Sequence, residues 1–249
     1  MTDQTATIIT GAASGIGAAL VRRLANGSAQ LTLHTRHSVE RLEAVAQAAR
    51  QAGAQVETVT GDLAEAGTGA AIVAAHHARF GSLDNLVANA GFPLLKSLDE
   101  MTASDVAYAF AGNSTSFFEL SQQAQPMLER SASGRIVALG SFTSHVFRTD
   151  MPQFPASAAS KGAIEVAVKS LSLALGADGI TVNCVVPGYI EKDAGTADGL
   201  DAKTLGEMLS RIPVGRLGKP DDVAGTIAFL LSRDASYITG QVLHVSGGL

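Results

Sequence analysis

Apolar positions along the chain alternate between two periods. Short runs of β-branched and aliphatic residues, as a strand buried on both faces requires, alternate with stretches whose apolar residues recur every three or four positions. Thr5–Thr10 is the first such run, and after it Ile16, Leu20, Val21 and Leu24 fall on one helical face closed by Asn26-Gly27. Leu31–Thr35 predicts a second strand, followed by a helix carrying Val39, Leu42, Val45 and Ala49 that ends at Gly53. Gln55–Thr60 and Asn85–Ala88 are the third and fourth strands, with a helix around Ala70–Phe80 between them. A long helix then runs from about Ser104 towards Pro126. Arg135–Leu139, Thr181–Val186 and Gln241–Val245 complete the strands, with helices at Ser157–Gly176 and about Asp221–Ser232. This alternation predicts one α/β domain over residues 1–249, a Rossmann-type doubly wound parallel sheet of about seven strands with helices on both faces. The segment Tyr189–Met208, rich in Gly, Asp, Ala and Thr, follows a strand's carboxyl end and reads as a mobile lid over a site.

Composition narrows the functional classes. At 249 residues, with 46% hydrophobic and 16% charged residues, the chain suits one large buried core. A net charge of −5 without a long basic run offers nothing to nucleic acid or an anionic membrane. The apolar runs are broken well short of the roughly 18 residues a membrane span needs. Met1–Thr7 is polar and shows no secretory signal. Cys184 is the single cysteine, which excludes an intramolecular disulfide and fits a reducing cytoplasm. No metal site is expected.

Chemistry gathers at predicted carboxyl ends of strands. Thr10-Gly11-Ala12-Ala13-Ser14-Gly15-Ile16-Gly17 joins the first strand to a helix, the context of a phosphate-binding turn. Asp62 follows strand three, Asn89-Ala90-Gly91 ends strand four, Asn113 lies in the next helix, and Pro187-Gly188 ends strand six. An open α/β sheet places its ligand along such ends. With Ser141 after Gly134-Arg135-Ile136-Val137, and with Lys161, these motifs resemble the short-chain dehydrogenase/reductase family over essentially the whole chain, β-ketoacyl-carrier-protein reductases in particular. The resemblance implies that Gly11, Ser14, Gly15, Ile16 and Gly17 cradle a dinucleotide, with Leu63, Ala90, Gly91, Pro187, Gly188 and Ile190 around it. It further implies that Asp62 meets the adenine, Asn89 its ribose, and Lys161 the nicotinamide ribose, with Asn113, Ser141, Ser157 and Lys161 at the catalytic positions.

Cofactor choice falls to the end of strand two. An acid there would bind a ribose 2′-hydroxyl and repel a 2′-phosphate. This chain has Thr35-Arg36-His37 and no carboxylate until Glu40. Arg36 suits bidentate phosphate binding, so NADP(H) is expected over NAD(H).

One departure matters most. Ketone-reducing members of the family carry a tyrosine four residues before the lysine; here that position is Ser157. A tyrosine of pKa about 10 has only to come down to neutrality, at a cost of about 4 kcal/mol. An aliphatic hydroxyl, near water's value of about 15.7, needs roughly 12 kcal/mol. Ser157 cannot replace the phenol as acid. The Ser141–Lys161 interval is also a few residues longer than in tyrosine-bearing relatives, and it contains His145, a side chain suited to general acid work. Mitochondrial-type 2,4-dienoyl-CoA reductases likewise carry serine at this position, with a tyrosine shortly after the strand-five serine; His145 falls there instead. After Pro187-Gly188, where relatives place a threonine, the chain offers Lys192. Phe92, Phe142, Phe147, Phe154 and Tyr189 are candidates to wall an apolar pocket, and His76 and His77 read as surface residues.

Three functions stay open. One is an NADPH-dependent reductase of a carbonyl or activated C=C compound whose proton comes from His145, water or no strong acid. Another is a catalytically silent nucleotide-binding subunit paired with an intact homologue. The third is non-redox chemistry on the same scaffold. A homotetramer or dimer is expected through the helices at about Ser104–Pro126 and Ser157–Gly176, whose apolar residues exceed what one sheet face covers.

Overall fold

The computed structural model describes residues 4–151, 153–191 and 202–249. Seven strands, β1 (Thr5–Ile9), β2 (Ala29–Thr35), β3 (Gln55–Thr60), β4 (Asn85–Ala88), β5 (Arg135–Leu139), β6 (Thr181–Pro187) and β7 (Val242–Val245), form one parallel sheet. Their order is β3-β2-β1-β4-β5-β6-β7. Between them lie α1 (Gly15–Leu24), α2 (Val39–Gln51), α3 (Thr68–Phe80), α4 (Ala103–Phe110), α5 (Ser116–Leu128), α6 (Pro155–Leu175), α7 (Ala202–Leu209) and α8 (Pro220–Leu231).

The strand pleat sends successive residues to opposite faces, and each face has its own apolar layer. Ile9, Val87, Val137 and Val185 pack under α1, α2 and α8. Ile8, Leu86, Ile136 and Val186 pack under α3, α5 and α6. Phe117, Leu120 and Leu128 of α5 are fully buried there, each contributing roughly 1.5–3 kcal/mol of transfer free energy. The chain winds outward from β1 to β3, then restarts at β4 on the other side of β1. That reversal opens a crevice beyond the carboxyl ends of β1 and β4. Because Ile9 pairs with Val87, the glycine turn after β1 faces the Asn89-Ala90-Gly91 loop.

Of three expectations, two need correction and one falls largely outside the described residues. The long helix is two helices joined by a π-turn at Ala111–Thr115, and it runs through Pro126 to Leu128. A proline inside a helix costs about 3 kcal/mol; burial of Ala124, Met127 and Leu128 holds the last turn in place. The wide π-turn is fastened by Asn113 Nδ2 donating to Ser160 Oγ (3.0 Å) and Ser114 Oγ donating to the Ser160 carbonyl (2.7 Å). Second, of the expected lid, residues 192–201 lie outside the described residues, and the segment after them is α7. Third, His77 is exposed but His76 is fully buried. Spaced four and three residues after Ile72 and Val73, it lands on the core face of α3, with Nδ1 2.7 Å from Thr32 Oγ1 and Nε2 2.8 Å from the Ser82 carbonyl. Burial pulls its pKa down to about 4. Among the described residues no helix is long and apolar enough to cross a membrane, and no group of three His, Cys, Asp or Glu is placed to hold a metal.

Candidate functional site

Three cavities run end to end along the crevice. The first, about 420 Å³, is lined by Gly11, Ser14, Gly15, Ile16, Thr35, Arg36, Asp62, Leu63, Asn89, Ala90 and Gly91, eleven of the residues expected to bind a dinucleotide. It shares Ile16, Asn89, Gly91 and Phe92 with a second of about 210 Å³, which also holds Ser141, Ser157, Lys161 and Pro187. That one meets a third, of about 370 Å³, at Thr143 and Phe154.

The turn end is built on close backbone approach. A Cβ on Gly17 would collide with the Gly11 carbonyl oxygen, so only glycine lets α1 start beneath the loop. Asn89 Nδ2 donates to the carbonyls of Thr10 (2.9 Å) and Gly11 (3.0 Å), and Ala90 N–H donates to Thr10 Oγ1 (3.0 Å). These bonds hold the turn open, with Gly15 and Ile16 at the α1 N-terminus lining the cavity.

At the adenosine end Arg36 Nη1 donates to the Tyr108 hydroxyl (2.8 Å), which donates to Asp62 Oδ2 (2.6 Å). The guanidinium sits 5.8 Å from the Phe92 ring centroid. The local sequence shows no carboxylate facing Arg36, yet the fold brings Asp62 to 3.8 Å. Burial opposes the Asp62 charge, but the Tyr108 hydroxyl, the Ala64 N–H and Arg36 together hold its carboxyl below the usual range. Arg36 thus keeps an anionic neighbour while lining the cavity.

In the second cavity Lys161 enters from the first turns of α6. It is buried, its Nζ donates to the Leu139 carbonyl (3.0 Å), and burial pulls its pKa down to about 8. Gly91 makes this possible, since a Cβ there would overlap Nζ. The Ser141 and Thr143 hydroxyls lie 2.8 Å apart on the 3₁₀ turn after β5. Ser157 stands where the resemblance implies tyrosine, and its Oγ accepts the Leu94 N–H at 2.6 Å. Asn113 lies just behind, with Oδ1 buried and unpartnered.

Besides Asn113, four expected site residues line none of the three cavities. His145 Nε2 lies 2.8 Å from Glu165 Oε2, its ring edge-on to His244 at 4.4 Å, and it lines none of the three cavities. The 3₁₀ turn rotates it away from Ser141. Gly188 packs on Ser246 with its N–H donating to Val245, and Ile190 bridges to Gly218 and packs against the α1 face. Gly17 supports the turn from beneath rather than lining it. Lys192 is outside the described residues. Of the expected aromatic wall, Phe92, Phe142, Phe154 and Tyr189 line cavities, whereas Phe147 points outward at 69% exposure. Sequence reasoning missed Tyr108, Thr143, Met151, Met208, Asp150 and Arg211. The last four complete the third cavity from distant segments, and no local signal marks them.

A family model described as "Enoyl-(Acyl carrier protein) reductase" matches residues 11–249. Over 245 residues the chain is 34% identical to the 3-oxoacyl-[acyl-carrier-protein] reductase of Staphylococcus aureus, covering 97% of this chain and 96% of that protein. The chain belongs to the short-chain dehydrogenase/reductase family. It is also 36% identical over 249 residues to L-rhamnose 1-dehydrogenase (NAD(P)(+)) of Azotobacter vinelandii, covering 97% and 95% of the two chains. The crystal structure of a short-chain dehydrogenase of Burkholderia cenocepacia in complex with NADP superposes with a TM-score of 0.90 at 33% identity, covering 99% and 98%. Within this short-chain dehydrogenase/reductase, the glycine turn, the Asn89 loop and Lys161 lie along one crevice, with Ser157 beside Lys161 accepting the Leu94 N–H.

Proposed function

We propose that the protein is an NADP(H)-dependent reductase of a small, largely apolar carbonyl or activated C=C compound. The carrying observation is the continuous crevice, with Arg36 at one end and Lys161, Ser141 and Thr143 at the other. The residues fit a phosphorylated dinucleotide: the turn has glycine where a Cβ would block the backbone, and Arg36 offers a guanidinium to a 2′-phosphate. The relative bound to NADP supports the same reading.

When bound, the nicotinamide supplies a hydride. Arg36 and the α1 N-terminus would hold the two phosphate regions, and Lys161 would hold the nicotinamide ribose. The paired hydroxyls of Ser141 and Thr143 orient the carbonyl and donate to its oxygen as negative charge develops. Phe142, Phe154, Tyr189, Met151 and Met208 exclude water from the substrate. Arg211 donates to the Asp150 carbonyl at 2.7 Å and shares the Asp150 carboxylate (3.3 Å) with Arg148 (2.9 Å), so one carboxylate holds two guanidiniums at the rim of this pocket.

Stopped-flow mixing with NADPH and a panel of ketones, enones and enoyl thioesters tests this. Loss of NADPH absorbance with one class is expected. One observation favours a second reading, a silent nucleotide-binding subunit: Ser157 has its hydroxyl engaged by Leu94. NADPH binding without turnover on any class, together with co-purification of a tyrosine-bearing homologue, would replace the reductase with that subunit.

A further inference from the structure

The reaction proposed above needs a proton, and the three side chains that sequence offers for it are unsuitable or elsewhere. Ser157 is an aliphatic alcohol whose oxygen accepts the Leu94 N–H. The Ser141 hydroxyl is paired with Thr143, and His145 is turned to Glu165 outside the cavities. What remains on the wall of the second cavity is a buried ammonium, Lys161, with one protein acceptor, the Leu139 carbonyl. An ammonium has three N–H donors, so two are left for the cavity, one for the nicotinamide ribose and one for the proton transfer.

We propose that Lys161 is itself the acid of the reaction, handing a proton directly or through one water to the substrate atom that gains negative charge. This rests on the reductase reading. The hydride brings its electron pair to the substrate carbon and forms the new C–H bond. The π pair moves to oxygen, or to the far carbon of an activated C=C bond. One N–H bond of Lys161 breaks, its pair stays on nitrogen, and the proton forms the O–H or C–H bond. The neutral amine then regains a proton from solvent. Asn113 Oδ1, buried and unpartnered, lies on the same side of Gly91 as Nζ.

The surroundings leave this amine free to titrate. From β6 it faces the Cys184 thiol, which burial pushes up to about 12 and which is therefore neutral. One helical turn along α6, Glu165 is engaged by His145. The β4 loop and π-turn bring only Gly91, Asn89 and Asn113, and the end of β5 brings the Leu139 carbonyl. No carboxylate among the described residues pairs with it. Burial therefore lowers its pKa to about 8, close to the pH at which a general acid works best.

Two measurements decide the matter. In the cofactor-free protein, 13C-lysine NMR, with the resonance assigned by its loss in Lys161→Arg, is expected to give a midpoint near 8 rather than the ordinary value of about 10.4. In the reductive direction at saturating NADPH, kcat/KM is expected to fall as pH rises through that midpoint, because the acid must be protonated. His145→Ala is expected to leave this limb in place. Lys161→Arg keeps a cation that does not release a proton in this range, so it is expected to lose the limb and 10²–10⁴-fold in rate. A midpoint near 10, a limb removed by His145→Ala, or a profile flat to pH 10 with hydride transfer intact overturns the lysine and leaves the reductase standing. No hydride transfer with any acceptor overturns both.

Discussion

Ser157 shows how one residue changes the chemistry a site can do. A serine has no proton to give near neutrality, but here its oxygen fastens the loop after β4 by accepting the Leu94 N–H. Its contribution is therefore to stability. Ser157→Ala leaves that part-buried N–H without an acceptor and is expected to cost about 1–3 kcal/mol, read as a lower urea midpoint. The single-turnover rate of hydride transfer is expected to stay within the same order of magnitude. A 10²-fold loss of rate, the scale of a lost general acid, would make Ser157 a proton donor after all. At this scale the sequence is informative where a motif fixes backbone: Gly11 and Asn89 line the first cavity, and Gly17 lies against the Gly11 carbonyl beneath it. It is silent where side chains from distant segments meet. Nothing near Arg36 in the chain announces Tyr108 or Asp62, which approach from α4 and from the loop after β3.

At the scale of the elements, the strands were legible because a parallel sheet buried on both faces favours apolar runs, as in Ile136–Leu139. Helices with a one-sided apolar stripe were equally plain. The π-turn at Ala111–Thr115 was not, since one extra residue per turn leaves the apolar spacing nearly unchanged. The misjudged His76 follows from a related blindness: residues three and four after Ile72 and Val73 share their face whatever their polarity. This burial has a measurable consequence. A histidine held at about 4 when folded and at about 6.5 when unfolded stabilises the fold fully above pH 6.5. That contribution is lost as pH falls towards 4, because only the unfolded chain takes up the proton. Between pH 7.5 and 5 the loss is expected to be about 2 kcal/mol from this group. His76→Gln, which cannot titrate, is expected to show a shallower decline of urea midpoint over that range. An unchanged slope would mean that His76 is protonated inside the fold.

At the scale of the whole molecule, α5 and α6 turn apolar residues both inward and outward. Ile164, Ala167 and Leu175 are buried under the sheet face as the sheet requires, but Val166 (69% exposed), Leu173 (86%) and Phe118 (49%) point to solvent. Val166 and Leu173 are seven residues apart and share a helix face. A self-complementary dimer or tetramer through this surface is expected by light scattering at micromolar concentration, with Leu173→Glu shifting it towards monomer. A monomeric unmodified protein would contradict that. The central proposal concerns the crevice rather than the assembly: that it takes a dinucleotide, and that Arg36 selects the phosphorylated one. Calorimetric titration of the unmodified protein and of Arg36→Ala with NADPH and NADH tests it most directly. The account predicts tighter NADPH binding, by roughly tenfold or more for a charge-assisted phosphate contact of about 1.5–3 kcal/mol, and a selective loss of that advantage in Arg36→Ala. Equal affinity of the unmodified protein for the two cofactors would contradict it.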